Sequence, residues 1–293
     1  VPPRFDLQSH STNSDGVLSA ADVVGLAADA GVELLALSDH DTVGGVAEAV
    51  AAGEQHGLKV VPAVEISAVD EGASEPRELH ILGYDIDYTG PPMTDRLHAF
   101  LADREKRTLR MRDALRDVGF DLDETEIQER IAAAKPIGRP HLAGAVLRAP
   151  ANAERLAGEG IDDIGSLIRG YLIEGKPAFR LRQTPTVAEA IEAIHEAGGV
   201  AVWAHPFWDI SEPEEVLASL DRFQALGIDG VEAFYITHDE AQTRLLADRA
   251  ASLGGGMLTT GSADFHGPEN RQFHSFMAFE TYGIEPNLGS IGS

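Results

Sequence analysis

Cysteine is absent from all 293 residues of the chain. That excludes disulfides, thiolate zinc sites and thiol nucleophiles together, so any bound metal must sit on nitrogen and oxygen. Long apolar runs are missing too: Val1 to His10 carries no hydrophobic signal core, and no later stretch approaches a membrane span. A cytoplasmic protein with no membrane partner is the expectation. Basic residues are scarce, 23 Lys and Arg against 48 Asp and Glu, for a formal net charge of -25. Such a balance repels polyanions at long range, which disfavours tracking along a long nucleic acid but is compatible with a small anionic substrate held through metal.

What is present is an ordinary folded composition, 43% hydrophobic and 24% charged, in a length that suits one large α/β domain with an insertion or two ordinary domains. Short apolar runs alternate with helical patterns, the mark of a parallel sheet wrapped by helices. The runs are Arg4 to Leu7, Glu33 to Leu37, Lys59 to Val64, Leu79 to Tyr84, Gly199 to Ala204, Gly230 to Phe234 and Met257 to Thr260, seven expected strands. Between the first two, Ser19 is placed to cap a helix whose buried stripe is Ala20, Val23, Val24, Ala27 and Ala28, closing at Gly31. Gly45 to His56 repeats the pattern before Gly57, and Thr186 opens another helix before the fifth strand. From 94 to 179 the rhythm is helical instead, with a charged helix through Arg104 to Val118 and a turn at Pro136 to His141. The reading is a barrel domain over 1–93 and 180–293 with an inserted helical subdomain over 94–179. The Gly, Pro and Ser-bearing tail after Glu280 reads as a loose end.

Imidazoles and carboxylates fall at strand ends. The first strand leads through Gln8 to His10, which share a face because strand side chains alternate. The second ends in Asp39-His40-Asp41, the third in Glu65, the fourth carries His80, the fifth ends in His205, and the last in Asp264-Phe265-His266. In parallel barrels the carboxyl ends of the strands build the active site, so these side chains are expected to converge. Mn2+, Fe2+ and Zn2+ accept such donors, and a carboxylate such as Glu65 is able to bridge two ions. A single histidine is more often a surface or satisfied core residue, and His56, His98, His195 and His274 are read that way. For the strand-end set that reading is costly, because gathered imidazoles and carboxylates need metal, hydrogen bonds or water to offset desolvation.

Asp6-Leu7-Gln8-Ser9-His10-Ser11-Thr12, Ser38-Asp39-His40-Asp41, Ala204-His205-Pro206 and Gly261-Ser262-Ala263-Asp264-Phe265-His266-Gly267 together resemble the successive motifs of the PHP (polymerase and histidinol phosphatase) family. The resemblance covers the barrel portions, roughly two thirds of the chain. It implies an α/β fold, a distorted seven-stranded TIM-like barrel with two or three divalent ions. By that analogy His10, Glu65 and Asp264 hold one ion, Glu65, His80 and His205 a second, and Asp15, His40 and His266 a third. The family usually has histidine where Gln8 stands, and an amide oxygen is the poorer ligand; Gln8 is read as a ligand or as a donor behind the ligands. Asp39 is read as a carboxylate that orients a neighbouring imidazole.

The insertion carries Gly138-Arg139-Pro140-His141, which resembles the segment of nucleotide-directed PHP phosphatases that reaches over the metals. Arg139 is expected to clamp phosphate, since a guanidinium forks onto its oxygens; equally, Pro140 simply starts a helix and Arg139 is solvated. His141 is assigned to bind phosphate or to protonate the leaving oxygen. The run Arg104, Lys106, Arg107, Arg110, Arg112 and Arg116 either attracts a polyphosphorylated substrate or is a solvated face paired with Asp103, Glu105 and Asp113. Glu232, Tyr235 and His238 are placed after the sixth strand, His238 toward substrate, with plain packing an equal reading.

The expected activity is hydrolysis of a phosphomonoester by a metal-activated hydroxide, with a nucleoside 3',5'-bisphosphate losing its 3'-phosphate. A 5'-3' exoribonuclease on short RNA, a histidinol-phosphate phosphatase and a metal-binding regulator without turnover are the alternatives. Amidohydrolase chemistry is disfavoured because that superfamily's fourth-strand lysine is replaced by His80.

Overall fold

The computed structural model describes residues 4–133, 135–181, 185–253 and 256–293. The chain divides into two compact units, 1–97 with 185–293, and 98–184. In the first, seven strands neighbour one another in chain order: β1 (Phe5–Asp6), β2 (Leu34–Leu37), β3 (Lys59–Asp70), β4 (Arg77–Tyr84), β5 (Val200–Trp203), β6 (Gly230–Tyr235) and β7 (Leu258–Ser262). The sheet curls onto itself where Ser9 bridges Phe265 and the His10 amide donates to the Phe265 carbonyl at 2.8 Å. The result is a distorted TIM-like barrel.

One strand corrects the expected parallel sheet. β4 runs antiparallel to both β3 and β5. The cause lies in β3, which does not stop at Glu65 but continues to Asp70, so that residues 71–76, bearing Gly72 and Pro76, turn it straight into β4 without a crossover helix. Glu65 therefore sits in mid-strand. His80, paired opposite Ser67, lies diagonally across from Glu65 on the same face of the sheet.

The helices, in chain order, are α1 (Ala20–Asp29), α2 (Val46–His56), α3 (Pro91–Asp117), α4 (Thr125–Ala132), α5 (Arg139–Arg148), α6 (Ala153–Glu159), α7 (Ile164–Leu167), α8 (Val187–Glu196), α9 (Pro206–Asp209), α10 (Pro213–Ala225) and α11 (Glu240–Leu253). Ser19 caps α1 by accepting from the Asp22 amide at 3.1 Å. The helix buries Val23, Val24 and Ala27 in one cluster with Leu35 and Leu37 of β2 and Ala49 and Ala52 of α2. α2 ends at Gly57 with φ 68°, a left-handed cap that a Cβ would strain by about 1 kcal/mol.

The second unit has its own core, with Met111, Leu115, Phe120, Ile127, Leu142, Val146, Leu167 and Leu172 buried together. Its basic helix follows the paired-face reading at Arg112 and Arg116, which both meet Asp113, and departs from it at two buried arginines. Arg104 and Arg107 are buried and spend their guanidinium Nε on the carbonyls of Ile137 at 3.1 Å and Arg180 at 2.7 Å. Arg112 and Arg116 both pair with Glu124. The run is thus largely consumed in holding the unit together.

The tail is not loose either. Asn287 bridges Thr259 of β7, Ile291 is buried, and the Gly292 amide donates to Asp85 at 3.0 Å. Polar Gly and Ser residues there make turns around apolar anchors, which composition alone hides.

Asp6 ties three segments. Fully buried, it accepts the Ala263 amide at 3.0 Å and the Met277 amide at 2.7 Å. Burial pushes its carboxyl up to about 7 in spite of these donors. In the unfolded chain the group ionises near 3.9, so between about pH 4 and 7 only the folded form retains the proton, and this contribution to stability falls as pH rises through that window. Asp6→Ala should lower the unfolding free energy by about 2–4 kcal/mol in urea titrations, because two sequestered amides lose their acceptor. An unchanged midpoint would show that the tie is not energetic.

Candidate metal centre

The imidazoles and carboxylates at the ends and in the middles of the strands meet in one place, organised by Glu65. Its Oε1 lies 2.8 Å from His80 Nδ1 and 3.1 Å from His205 Nε2, and its Oε2 lies 3.1 Å from His10 Nε2 and 3.4 Å from His40 Nδ1. Each oxygen therefore faces a pair of ring nitrogens. Asp264 Oδ1 adds a carboxylate 3.0 Å from His10 Nε2, and Asp15 approaches His10, His40 and His266 at 3.6–3.7 Å.

Local backbone explains the convergence. His40 and Glu65 form a parallel bridge, so the second and third strands present their side chains together. The Ala204 amide donates to the His80 carbonyl at 3.1 Å, which sets His205 beside His80, with their ring nitrogens 3.3 Å apart. Beside the donor residues, Asp41, His205 and Asp264 take positive φ, at 54°, 28° and 53°. Each costs on the order of 1–2 kcal/mol, strain that persists only where the surroundings over-determine it. Gly16 closes the first loop so tightly that a Cβ would stand 2.2 Å from the His10 carbonyl oxygen, which leaves no room for a side chain there.

Three groups have donor atoms close enough to share an ion: His10, Asp15, His40 and His266; His40, Glu65 and His80; and His10, Glu65 and Asp264. The donor set fits divalent cations. Buried and without hydrogen-bond partners are His10 Nε2, His40 Nδ1, Glu65 Oε2, His205 Nδ1 and Asp264 Oδ1. Left that way each costs roughly 1–3 kcal/mol, and more where the group is charged, whereas lone pairs directed at a cation are satisfied. Charge points the same way. Burial raises the Glu65 carboxyl, but His40, His80, His10 and His205 outweigh it and hold the group well below the usual range. Burial likewise opposes the charged forms of His10 and His205, yet Asp264 and Glu65 lift the first well above its ordinary value, and Glu65 takes the second to about 10. His40, with burial dominant, falls to about 3. Among protein groups alone, protons on two imidazoles supply the positive charge these carboxylates demand, the part a metal ion would take.

No family model matches the chain. A 5'-3' exoribonuclease of Haemophilus influenzae is 35% identical over 265 residues, spanning 90% of each chain. A 3',5'-nucleoside bisphosphate phosphatase of Chromobacterium violaceum is 32% identical over 90% of this chain and 88% of its own. The chain belongs to the PHP family. Among solved structures, a Bifidobacterium adolescentis protein assigned as a metal-dependent phosphoesterase superposes with a TM-score of 0.75 at 28% identity, over 93% of this chain and 91% of that one. The molecule is accordingly a PHP hydrolase of phosphoester bonds that depends on divalent metal. Among the described residues, no helix is long and apolar enough to cross a membrane.

Several expected residues take other places in this PHP site. Asp39 does not orient an imidazole: its carboxylate accepts the Ser11 amide at 2.8 Å and the hydroxyls of Ser11 and Ser14 at 2.7 and 2.5 Å. It braces the loop bearing Asp15, and reaches His10 only through Ser14, whose Oγ lies 3.5 Å from His10 Nδ1. Glu232 and Tyr235 lie within β6 rather than after it. The Tyr235 hydroxyl donates to Asp264 Oδ2 at 2.8 Å, leaving Oδ1 to face His10. Glu232 accepts the His205 amide at 2.8 Å and the Ser262 hydroxyl at 2.6 Å. His238 is buried, its Nδ1 donating to the Ala233 carbonyl at 3.1 Å, and burial lowers it to about 4, so the ring is neutral. Gln8 is fully buried, with Oε1 at 3.2 Å from Ser262 Oγ and Nε2 unpartnered.

In the second unit, Arg139 opens α5, and His141 turns its Nδ1 back to accept the Gly138 amide at 3.1 Å, capping the helix. Sequence reasoning missed Ser262, Asp6 and Ser14, all of which support ligands from behind. Only Asp6 and Ser262 lay inside quoted motifs, and nothing in a serine or a strand aspartate marks its partner.

Proposed function

We propose that this PHP protein removes the 3'-phosphate of a nucleoside 3',5'-bisphosphate. The observation that carries the reading is Glu65 with an imidazole pair at each oxygen, beside a further donor group of His10, Asp15, His40 and His266; together these residues would hold the divalent ions. Bound divalent ions supply a water of lowered pKa and neutralise charge on the phosphoryl oxygens. The chain's part is to hold those ions in register: Tyr235 and Glu65 fix the two carboxylate faces seen by His10, and Asp39 fixes the loop carrying Asp15. Arg139 and His141 keep the roles that the family resemblance implies, a guanidinium on phosphate oxygens and an imidazole at the leaving oxygen. The bisphosphate phosphatase relative supports this substrate.

A second reading has its own support in the exoribonuclease relative, which is 35% identical. The net charge of -25 sets it second, because a polyanion pays more than a mononucleotide to approach. Purified, metal-analysed protein given adenosine 3',5'-bisphosphate, a short 5'-phosphorylated RNA and histidinol phosphate in parallel separates them. Phosphate release from the bisphosphate at a kcat/KM at least about tenfold above the other two is expected, a difference of 1.4 kcal/mol in transition-state binding. Faster shortening of the RNA would replace the proposal with the exonuclease.

A further inference from the structure

The rim of the metal centre carries aromatic surface that the metal chemistry does not use. Of the two tryptophans, Trp203 is fully buried in β5, whereas Trp208 is 51% exposed. Trp208 lies on α9, directly after the ligand-bearing end of β5 at His205. It is held there tilted against the ring of Phe273 at 5.6 Å and edge to face with that of Tyr235 at 6.5 Å. Phe273 packs in turn 5.4 Å from the His266 ring, and its carbonyl accepts the His266 amide at 2.9 Å, so this segment is tied to the ligand strand. Val17, 63% exposed, closes the same rim through its amide bond to the His266 carbonyl at 3.0 Å.

We propose that Trp208 and Phe273 form the wall on which the aromatic base of the substrate stacks, so that the centre selects phosphoesters carrying a nucleobase. This rests on the nucleotide reading above and sharpens it. A solvent-facing indole is costly to leave bare, and its flat face suits a partner that is also flat, since base–aromatic stacking contributes about 1–3 kcal/mol per base. Trp208 stands one ring beyond Phe273, which itself touches His266, so a phosphate held at the ion ligands leaves a ribose between itself and the indole. A protein partner anchored on Trp208 would also bury the indole, but it would have to cover the ligand cluster and block the substrate's access to it. The wall does not read base identity, because stacking offers no hydrogen bonds to base edges.

Metal-loaded enzyme tests the wall through fluorescence and kinetics. Adenosine 5'-monophosphate should quench the emission of the wild type and leave Trp208→Ala unchanged, because the remaining indole, Trp203, is sealed in the barrel. In Trp208→Ala, KM for the bisphosphate should rise roughly tenfold to a hundredfold with kcat within about twofold, while KM for glycerol 3-phosphate, which has no ring, stays put. Trp208→Phe should recover most of the affinity. Equal changes for both esters, or no quenching in the wild type, would overturn the wall even if bisphosphate turnover is fast. Quenching that depends on Trp208 in an enzyme that hydrolyses no nucleotide would keep the wall and remove the proposed substrate.

Discussion

Replacing Glu65 by glutamine is expected to lower kcat at least about a thousandfold and to strip most divalent metal from the purified protein, with little loss of folded structure. The carboxylate is unexposed and has two imidazole nitrogens within 3.4 Å of each oxygen. An amide of the same shape keeps one oxygen and turns an NH2 toward the other pair. It also removes the negative charge that would offset bound divalent metal. Loss of several kcal/mol of charge stabilisation at the phosphoryl group corresponds to three or more powers of ten in rate. The backbone at this position is secured by pairing with Leu82 across β4 and by the Asp41 amide at 2.9 Å, neither of which involves the side chain. Elemental analysis per chain, circular dichroism and phosphate release read the three parts separately. A variant that keeps both its metal and its rate would mean that Glu65 bridges nothing.

The residues that meet at Glu65 were legible because strand side chains alternate and barrel ligands gather at strand ends: His10, His40, His205 and Asp264 each stand at the end of an apolar run. Glu65 was visible for the wrong reason. A carboxylate after Val60 to Val64 reads as a strand exit, yet the strand continues because the following Ile66, Ala68 and Val69 are buried. The antiparallel course of β4 follows from that continuation and has no periodicity of its own to announce it. Asp39 shows the other limit. Its position beside His40 suggested an imidazole partner, but the carboxylate faces Ser11 and Ser14, residues more than twenty positions upstream that only the bridge between β1 and β2 brings near. Burial of Arg104 and Arg107 was hidden for a related reason. A helix pattern counts charges, whereas carbonyls such as Ile137 and Arg180 that accept from them belong to irregular segments without a sequence signature.

Gln8→His is expected to tighten divalent metal at the His10, Glu65 and Asp264 group by roughly tenfold to a hundredfold, the range over which a ligand's surroundings commonly alter affinity. The argument starts from one proton. Ser262 Oγ stands 2.6 Å from Glu232 Oε1 and 3.2 Å from Gln8 Oε1, and a hydroxyl has a single hydrogen to give. With Glu232 ionised, that hydrogen goes to the carboxylate, and the Gln8 amide must turn over so that Nε2 donates to Ser262. Oε1 then occupies the buried position where Nε2 has no partner, as an acceptor in need of a cation. Burial pushes the Glu232 carboxyl up to about 8; below that pH its proton sends the Ser262 hydrogen to Gln8 Oε1 and the amide presents NH2, which repels an ion. The native amide is thus a weak ligand that improves as pH rises through about 8, and an imidazole is a stronger one that has no amide to turn. Chelator competition on wild type and variant at pH 7 and pH 9 measures both effects. A histidine variant with native affinity at each pH would place residue 8 outside the ligand set.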